Sequence, residues 1–228
     1  MYLSQLTLNP RNAQVRSELA RPYEMHRTLS NGFTRGAFHV ERDADEAAGV
    51  LFRVEANGDE HAVRVLVQSH GAPDWSALEN KRDARGHAYL LRAVEQKSFE
   101  LHLARGQRVA FRLRANPTKR RKSDGKRIGI VNAAEQLEWL RVKVQGDEKR
   151  KSLAGGFKLV RAMVGGEEFF KNTEAIHHAA GAHDLKLLSA QFDGVLQVED
   201  PNKAAETVAR GIGSGKAFGF GLLSLARA

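Results

Sequence analysis

The chain contains no cysteine among its 228 residues, which excludes a disulfide framework, a thiolate metal site and a cysteine nucleophile. Its five prolines are few and its 21 glycines follow no period, which excludes collagen-like and linker-dominated architectures. No apolar run reaches the ~18–20 residues that span a bilayer, and the first residues lack the charged-then-apolar order of a signal peptide. A hydrophobic fraction of 42% and a charged fraction of 28% exclude wholesale disorder. We therefore expect a folded cytoplasmic protein without a membrane segment.

Positive charge is concentrated in the second half of the chain. The 36 Lys and Arg residues outnumber the 27 Asp and Glu residues, for a net charge of +9. Residues 1–106 hold 14 basic and 14 acidic residues, so residues 107–228 hold 22 and 13. A neutral half joined to a cationic half predicts that the second half makes most of the contact with a polyanion. A basic protein without such a partner is the alternative.

The first half of the sequence predicts strands and helices in alternation. The helical stretch restarts at Pro22, because proline is tolerated in the first turn of a helix and disrupts its interior. Polar and glycine-containing turns separate the strands. In chain order we predict a strand at Tyr2–Leu8, a helix at Gln14–Leu29, strands at Phe38–Arg42, Val50–Glu55 and Ala62–Gln68, a short helix at Trp75–Leu78 and a strand at Ala88–Leu103.

The second half repeats this order and opens with a strictly alternating strand. Arg108–Arg114 places three apolar residues on one face and three arginines on the other, as expected for a strand with a core below and an anion above. Glycines and an Asp-Pro pair mark later boundaries. In chain order we predict a helix from Asn132 to Val144, a hairpin of Phe157–Val164 and Glu167–Lys171 about Gly165-Gly166, a hairpin of Leu185–Phe192 and Gly194–Glu199, a helix from Asp200-Pro201 to Arg210 and a strand at Gly219–Ala226.

Two successive β-α-β-β-α-β passes predict the fold class. The class is α+β, with two tandem ferredoxin-like (RRM-like) domains at residues 1–104 and 105–228. The doubling is one of element order, since no residue-by-residue repeat is visible. A single larger α+β domain is the alternative.

The glycine-rich segment Gly211–Gly221 lies near the C-terminus. It does not match a nucleotide-binding P-loop, because Ala217 follows Lys216 where that motif needs Ser or Thr. Closely spaced glycines let the backbone approach a phosphate or another chain. We predict that the segment packs against nucleic acid, and Ser214 and Lys216 are its candidate contact residues. A tight turn without a ligand and a nucleotide-using enzyme are the alternatives.

Basic residues form a second candidate site. The run Lys119–Arg127 directly follows the arginine-faced strand, so one cationic tract covers Arg108–Arg127. Binding to such a tract weakens steeply with salt, because each neutralised phosphate releases counterions. A solvated basic loop is the alternative. The predicted phosphate-binding residues are Arg112, Arg114, Lys119, Arg120 and Arg127. The residues predicted to bind the groove of a nucleic-acid duplex, on the first hairpin, are Lys158 and Arg161.

Histidine is the remaining source of chemistry. His177, His178 and His183 form a loose cluster without a metal-binding pattern, so we predict no metal and no cofactor. Tyr23 and His26 are three residues apart at the start of a short helix, and their side chains therefore share one face. The pair is a candidate for catalysis. A core tyrosine and a surface histidine without a catalytic role are the alternative, because they would give the same sequence.

Four segments resemble the CasE family, the CRISPR-RNA-processing endoribonucleases of type I-E CRISPR systems within the RAMP superfamily. The four segments, in chain order, are Met1–Leu6, Pro22–Leu29, Phe111–Lys119 and Gly211–Ser224. The resemblance implies metal-independent cleavage of CRISPR repeat RNA at the base of its stem-loop, leaving a 2′,3′-cyclic phosphate. It implies His26 and Tyr23 as the catalytic residues, with His26 acting as base, acid or both.

The resemblance also implies partners and one departure from the family pattern. The expected partners are a CRISPR repeat RNA stem-loop and the other type I-E Cascade subunits, with no membrane. Some relatives carry a lysine where this chain has Asn31, so we expect Arg27 or Arg35 to supply the cation beside the phosphate. A non-catalytic subunit that binds the RNA stem-loop is the alternative function.

Overall fold

The computed structural model describes residues 1–33, 49–55, 61–147, 154–178 and 181–228, with residues 166–178 and 181–186 described by their backbone alone. The chain divides into two units. The first comprises Met1–Glu100 and Lys216–Gly219, and the second comprises Leu101–Gly215 and Phe220–Ala228. The sequence-predicted boundary after residue 104 thus differs by four residues, and four residues of the glycine-rich segment belong to the first unit rather than to the second.

The first unit contains a four-stranded antiparallel sheet whose strands, from one edge to the other, are Leu51–Glu55 (β2), Val63–Ser69 (β3), Tyr2–Leu8 (β1) and Glu95–Ser98 (β4). Its helix α2 carries the predicted catalytic residues. Its elements are β1 (Tyr2–Leu8), α1 (Ala13–Ala20), α2 (Pro22–Ser30), β2 (Leu51–Glu55), β3 (Val63–Ser69), the one-turn helix α3 (Ser76–Glu79), β4 (Glu95–Ser98) and a short 3₁₀ helix at Lys216–Phe218.

Local sequence explains where helices α1 and α2 begin. The Asn12 side chain accepts hydrogen bonds from the backbone N–H groups of Gln14 and Val15, which satisfies donors that a helix N-terminus leaves without partners. Pro22 occupies the first turn of α2, where its missing N–H costs nothing. The predicted restart at this proline is confirmed.

The second unit repeats the architecture of the first. The strands of its sheet, from one edge to the other, are Leu223–Arg227 (β10), Arg108–Ala115 (β5), Gly181–Val198 (β9) and Phe157–His178 (β8). This is the order of the first sheet read from its other edge, when the four strands of each sheet are numbered in chain order. Both units therefore follow the β-α-β-β-α-β order of the ferredoxin-like fold, as predicted. The elements are β5 (Arg108–Ala115), the small hairpin β6 (Thr118–Arg120) and β7 (Arg127–Gly129), α4 (Ala133–Gln145), β8 (Phe157–His178), β9 (Gly181–Val198), α5 (Pro201–Arg210) and β10 (Leu223–Arg227).

Each unit has its own apolar core. In the first, residues such as Leu6, Leu29 and Phe52 pack between the sheet and helices α1 and α2. In the second, Phe111 and Leu140 belong to a cluster that joins the β5–β9 sheet to helices α4 and α5. Among the described helices, none combines the length and the apolar character needed to cross a membrane.

Two predicted hairpins are wrong. Strand β8 continues through Gly165-Gly166 and pairs with β9, itself one strand where a second hairpin was predicted. The register of the pair shifts between Gly165 and Glu168. Glycines inside a strand commonly mark such an irregularity rather than a turn, and local turn preference cannot separate the two cases.

Two further strand predictions have different outcomes. The strand predicted at Ala88–Leu103 is limited to β4. Before β4 begins, the N–H of Tyr89 bonds to Lys81, and contact with β1 is restricted to an isolated bridge at Leu90 and a hydrogen bond from the N–H of Leu91. The strand predicted at Phe38–Arg42 lies outside the described residues.

Candidate functional site

Helix α2 carries Tyr23 and His26 on one face. Their ring centroids are 6.4 Å apart. The imidazole of His26 stacks on the ring of Phe52 from β2, with centroids 6.1 Å apart and planes inclined by 17°. His26 is 4% exposed, and each of its ring nitrogens exposes less than 1 Å². The predicted pair is thus brought together, with Tyr23 half-buried and His26 enclosed.

A buried carboxylate ties α2 to its surroundings. Glu18, on α1, accepts hydrogen bonds from the hydroxyls of Thr28 on α2 and Tyr89, each at 2.6 Å, and from the side-chain amide of Gln14. Burial and the neighbouring Glu18 charge raise the pKa of Tyr89 far above its usual value. Hydrogen bonds to a buried charged group are among the stronger ones in proteins. The Glu18 carboxylate therefore holds α2 at Thr28, two residues after His26.

The Lys216–Gly219 segment contacts this helix from the far end of the sequence. The ring of Phe218 lies against that of Tyr23, with centroids 5.8 Å apart. Gly219 lies beside Phe52, and a Cβ built on it would be 3.1 Å from Cε2 of that ring. The segment thus borders both members of the Tyr23–His26 pair, one directly and one through Phe52.

The predicted cation beside the pair is on the same helix. Arg27 is 65% exposed at its side chain and forms an ion pair with Glu24, Nη1 to Oε2 at 3.1 Å. Asn31 ends α2, and its N–H donates to the carbonyl of Arg27. Residues four apart are neighbours on a helix surface, so Arg27 borders both Tyr23 and position 31. Arg35 lies outside the described residues.

Among the side chains that the structure describes, five cations share the outer face of the second sheet, the face opposite helices α4 and α5. Directly opposite residues on paired strands lie on the same face. Strands β5 and β8 both pair with β9, so their registers against β9 show which of their residues share a face. We call this set the cationic face. It consists of Arg108, Arg112 and Arg114 from β5 and Lys158 and Arg161 from β8.

A bulge at Val160 completes the cationic face. Leu159 pairs with Leu196 and Arg161 with Val195, so β8 carries an extra residue between them. Strict alternation would put Leu159 and Arg161 on one face, but the extra residue reverses the facing of the strand beyond it. Leu159 packs on the core, while the exposed Arg161 joins Lys158. Sequence analysis predicted Lys158 and Arg161 as binding residues, but it did not predict the bulge that places them on one face.

Arg112 and Arg114 of the cationic face each donate a hydrogen bond to a side chain of β9. Arg112 donates from Nε to Oδ1 of Asp193 at 2.7 Å, with both side chains partly exposed. Arg114 donates from Nε to the hydroxyl of Ser189 at 2.8 Å, and its guanidinium lies 5.7 Å from the ring centroid of Phe220. These contacts fix the direction in which the two guanidinium groups point.

The basic run after β5 forms the β6–β7 hairpin. Arg120 and Arg127 are directly opposite each other and exposed. Two hydrogen bonds from Arg121 to Asp124, at 2.9 and 2.6 Å, close the turn between them. Lys119 forms an ion pair with Glu135 at the start of α4. The basic run is therefore a structured hairpin, an element that the sequence analysis did not predict.

The two predicted binding residues of the glycine-rich segment fall in different units. Ser214 bridges to Asn116 in the second unit, and Lys216 begins the 3₁₀ helix of the first. Both are half-buried. Within the described ranges, no group of three or more His, Asp or Glu side chains could hold a metal ion.

Sequence reasoning missed three residues that support these sites. Phe52 contacts His26, Phe218 contacts Tyr23, and Asp193 holds Arg112. The phenylalanines of Lys216–Phe220 lie between glycines, and this spacing could have indicated that their rings pack against another part of the protein. Nothing local marked Asp193, because its partner lies 81 residues away.

Comparison with known proteins adds an independent line of observation. A family model described as CRISPR associated protein matches residues 1–227. The CRISPR-associated endoribonuclease Cse3 of Thermus thermophilus is 40% identical over 233 residues, covering 99% of this chain and 100% of that protein. The CRISPR system Cascade subunit CasE of Escherichia coli is 27% identical over 239 residues, covering 99% of each chain. A structure of Thermus thermophilus Cse3 bound to an RNA representing a pre-cleavage complex matches with a TM-score of 0.77 at 37% identity, over 99% of this chain and 98% of that one.

Proposed function

The chain belongs to the Cse3/CasE family of CRISPR-associated proteins, and from this membership we propose that it is an endoribonuclease that cleaves CRISPR repeat RNA at the base of its stem-loop. The product is a mature guide RNA ending in a 2′,3′-cyclic phosphate. The reaction needs no metal ion, since RNA supplies its own nucleophile. The observation that carries the proposal is the placement of Tyr23 and His26 on one face of α2, 6.4 Å apart.

The chemistry is an internal transesterification. The bond between the 2′-oxygen and phosphorus forms, and the bond between phosphorus and the 5′-oxygen breaks. One proton leaves the 2′-hydroxyl and one is delivered to the departing 5′-oxygen. An imidazole exchanges protons near neutral pH, so His26 serves one or both transfers, while the phenol of Tyr23 orients the reacting groups. General acid–base catalysis supplies typically 10²–10⁴-fold.

Positive charge supplies the rest of the stabilisation. Arg27 is exposed on the same helix and four residues from Tyr23 and from Asn31. We assign to it the contact with the scissile phosphate, in place of the lysine that some relatives carry at the position of Asn31. Fixed positive charge beside the developing phosphorane lowers the barrier, because the charge on the phosphate grows in the transition state. Arg35 remains the other candidate for this contact.

The second unit binds the RNA stem. The cationic face and the exposed arginines of the β6–β7 hairpin offer phosphate contacts, and the groove is assigned to Lys158 and Arg161 on β8. Double-stranded RNA is recognised mainly through its shape and backbone, which suits a surface of arginines fixed by hydrogen bonds. Ser214 and Lys216 add contacts from the glycine-rich segment.

The partners follow from the same family. CasE is named as a subunit of Cascade, and we propose that this chain also stays bound to its product and joins the other type I-E subunits. The proposed location is the cytoplasm, where an RNA transcript and an RNA-bound assembly meet.

One observation favours a second candidate, a non-catalytic subunit that binds the stem-loop. Both ring nitrogens of His26 are shielded, so catalysis requires that RNA binding expose one of them. Active-site hydrogen bonds are often formed only in the substrate complex, and for this reason we prefer the enzyme.

Incubation with repeat RNA in excess EDTA separates the two candidates. The enzyme cleaves the RNA under these conditions, and its product ends in a 2′,3′-cyclic phosphate with a 5′-hydroxyl on the other fragment. His26→Ala loses cleavage and keeps RNA affinity. Intact RNA with the wild-type protein identifies a binding subunit. A 3′-hydroxyl end, or a requirement for divalent ions, rules out the proposed mechanism.

A further inference from the structure

We propose that Phe218 is a positioning residue for Tyr23, so that a segment close to the C-terminus completes the catalytic helix. This inference rests on the proposed endoribonuclease function. It concerns the 3₁₀ helix Lys216–Phe218 and the following Gly219, which belong to the first unit although residues on both sides of them belong to the second.

Contacts at both ends of this short segment carry the inference. The ring of Phe218 lies 5.8 Å from that of Tyr23, with the planes inclined by 34°. Gly219 has φ +81°, and its Cα lies so near Phe52 that a Cβ would be 3.1 Å from that ring. Phe52 in turn stacks on His26. One backbone segment therefore supports the phenol directly and the imidazole through one intervening ring.

The sequence explains why the segment can lie there. The N–H of Gly219 bonds to the carbonyl of Lys216, which closes the single turn that presents Phe218. A left-handed φ at position 219 is open to glycine without strain. The backbone can consequently turn away directly after Phe218 while passing beside Phe52.

Support of this kind matters for a tyrosine near the exposed end of a helix. Tyr23 is the second residue of α2 and is half-buried, so its helix neighbours cover the ring on only part of its surface. Contact with Phe218 restricts the orientations of the ring and thereby the position of the hydroxyl. Catalytic rates depend steeply on such placement, and a shift of about 1 Å can cost on the order of 10²-fold.

The experiment compares single-turnover cleavage of repeat RNA with RNA affinity, in EDTA and with protein in excess. Phe218→Leu removes the ring, and we expect the cleavage rate to fall about tenfold or more while Kd changes by less than about twofold. Phe218→Tyr keeps the ring and retains the rate within about threefold. Phe99→Leu is the matched control, because Phe99 is a half-buried phenylalanine of the first unit that lies beside Met1. We expect it to leave the rate unchanged.

A double variant tests whether Phe218 acts through Tyr23. In a Tyr23→Phe background the hydroxyl is absent, so adding Phe218→Leu lowers the rate by less than about twofold further. Independent losses that multiply in the double variant overturn the proposal. An equal loss in affinity and rate also overturns it, because it makes Phe218 an RNA contact, and so does a Phe218→Tyr rate as low as that of Phe218→Leu.

The outcomes separate this inference from the function on which it rests. Absence of cleavage by the wild-type protein refutes the endoribonuclease. Wild-type cleavage that Phe218→Leu leaves unchanged refutes the positioning role alone. Wild-type cleavage that Tyr23→Phe leaves unchanged also refutes the positioning role, since there is then no hydroxyl to position.

Discussion

Gly194 on β9 faces the backbone of Arg161 on β8 so closely that position 194 has no room for a side chain. A Cβ there would overlap the carbonyl oxygen of Arg161 and would lie 2.8 Å from Cα of Ala162 and 2.9 Å from the ring of Phe111. The close approach occurs directly beside the Val160 bulge that turns Arg161 to the cationic face. A single glycine thus lets the second sheet combine a bulged edge strand with a packed core.

We expect Gly194→Ala to destabilise the protein by about 1–3 kcal/mol, because overpacking forces the strands or Phe111 to move. Displacing the bulge also moves Arg161, so RNA affinity falls. Urea unfolding and an RNA binding assay measure the two effects. The matched control is Gly165→Ala on β8, the strand paired with β9, where a Cβ meets nothing within 4 Å. Equal effects from the two alanines would contradict the packing argument.

Replacing Lys158 and Arg161 by glutamine tests the cationic face. Each phosphate contact that is lost reduces the dependence of log K on log salt by roughly 0.7–0.9, so we expect a shallower slope and weaker binding at low salt. Binding titrations over a range of salt concentrations measure the slope. Arg141→Gln provides the control for charge, because α4 lies on the opposite face of the sheet. A slope unchanged by the Lys158 and Arg161 replacements would remove the pair from the RNA interface.

Tyr89→Phe tests the buried anchor of α2. The change takes one of three donors from Glu18, and leaving a buried acceptor partly unsatisfied costs about 1–3 kcal/mol. Chemical unfolding at neutral pH measures this loss. Tyr2→Phe, at a half-buried tyrosine of β1, serves as the control and should change stability by less than about 0.5 kcal/mol.

The stability difference between wild type and Tyr89→Phe should change with pH in one direction. Burial, followed by the Glu18 charge, raises the pKa of Tyr89 in the folded protein. Its contribution is therefore complete below the unfolded pKa of about 10 and is lost as the pH rises above that value. We expect the stability difference between wild type and Tyr89→Phe to narrow above about pH 10. A constant difference would show that the phenol ionises equally in both states.

Asp83 predicts a loss of stability in acid. Its carboxylate accepts hydrogen bonds from the backbone N–H groups of Ala13 at 3.0 Å and of Arg85 and His87 at 2.9 Å. The Ala13 bond, at the start of α1, is the largest cause that holds the pKa of Asp83 well below its usual range. A lowered pKa gives stability that is complete above the unfolded value of about 3.9 and is lost as the pH falls below it.

Thermal unfolding of Asp83→Asn at pH 7 and pH 3 measures this contribution. We expect a lower Tm than wild type at pH 7 and a smaller difference at pH 3, because protons then compete for the wild-type carboxylate in the unfolded state. Glu206→Gln, at an exposed carboxylate on α5, controls for the removal of one charge. A Tm difference that does not shrink in acid would contradict the role assigned to the ionised side chain.

Particular residues show how far sequence reasoning reached. Pro22 specifies the start of α2 through its ring geometry, as predicted, and α1 begins at Ala13, one residue before the predicted Gln14. The strand Arg108–Ala115 alternates strictly, and its arginines occupy one face as predicted. Tyr23 and His26 needed only the helical repeat to be placed together. In each case the information lies within a few residues of the feature.

Features decided by distant partners were out of reach. The hairpin predicted at Gly165-Gly166 is instead the continuous strand β8, because pairing with β9 outweighs local turn preference. Asp193 holds Arg112 across the sheet, and Phe218 reaches Tyr23 across almost the whole sequence.

The amino-acid sequence by itself determined the two ferredoxin-like passes, the arginine-faced strand and the Tyr23–His26 helix, because periodicity, capping and proline act over one or two turns of chain. Only the tertiary structure decided the bulge that brings Arg161 to the cationic face, the carboxylate that anchors α2 and the return of Lys216–Gly219 to the first unit. These depend on which surfaces pack together, and that choice is made by the burial of whole faces rather than by local preference.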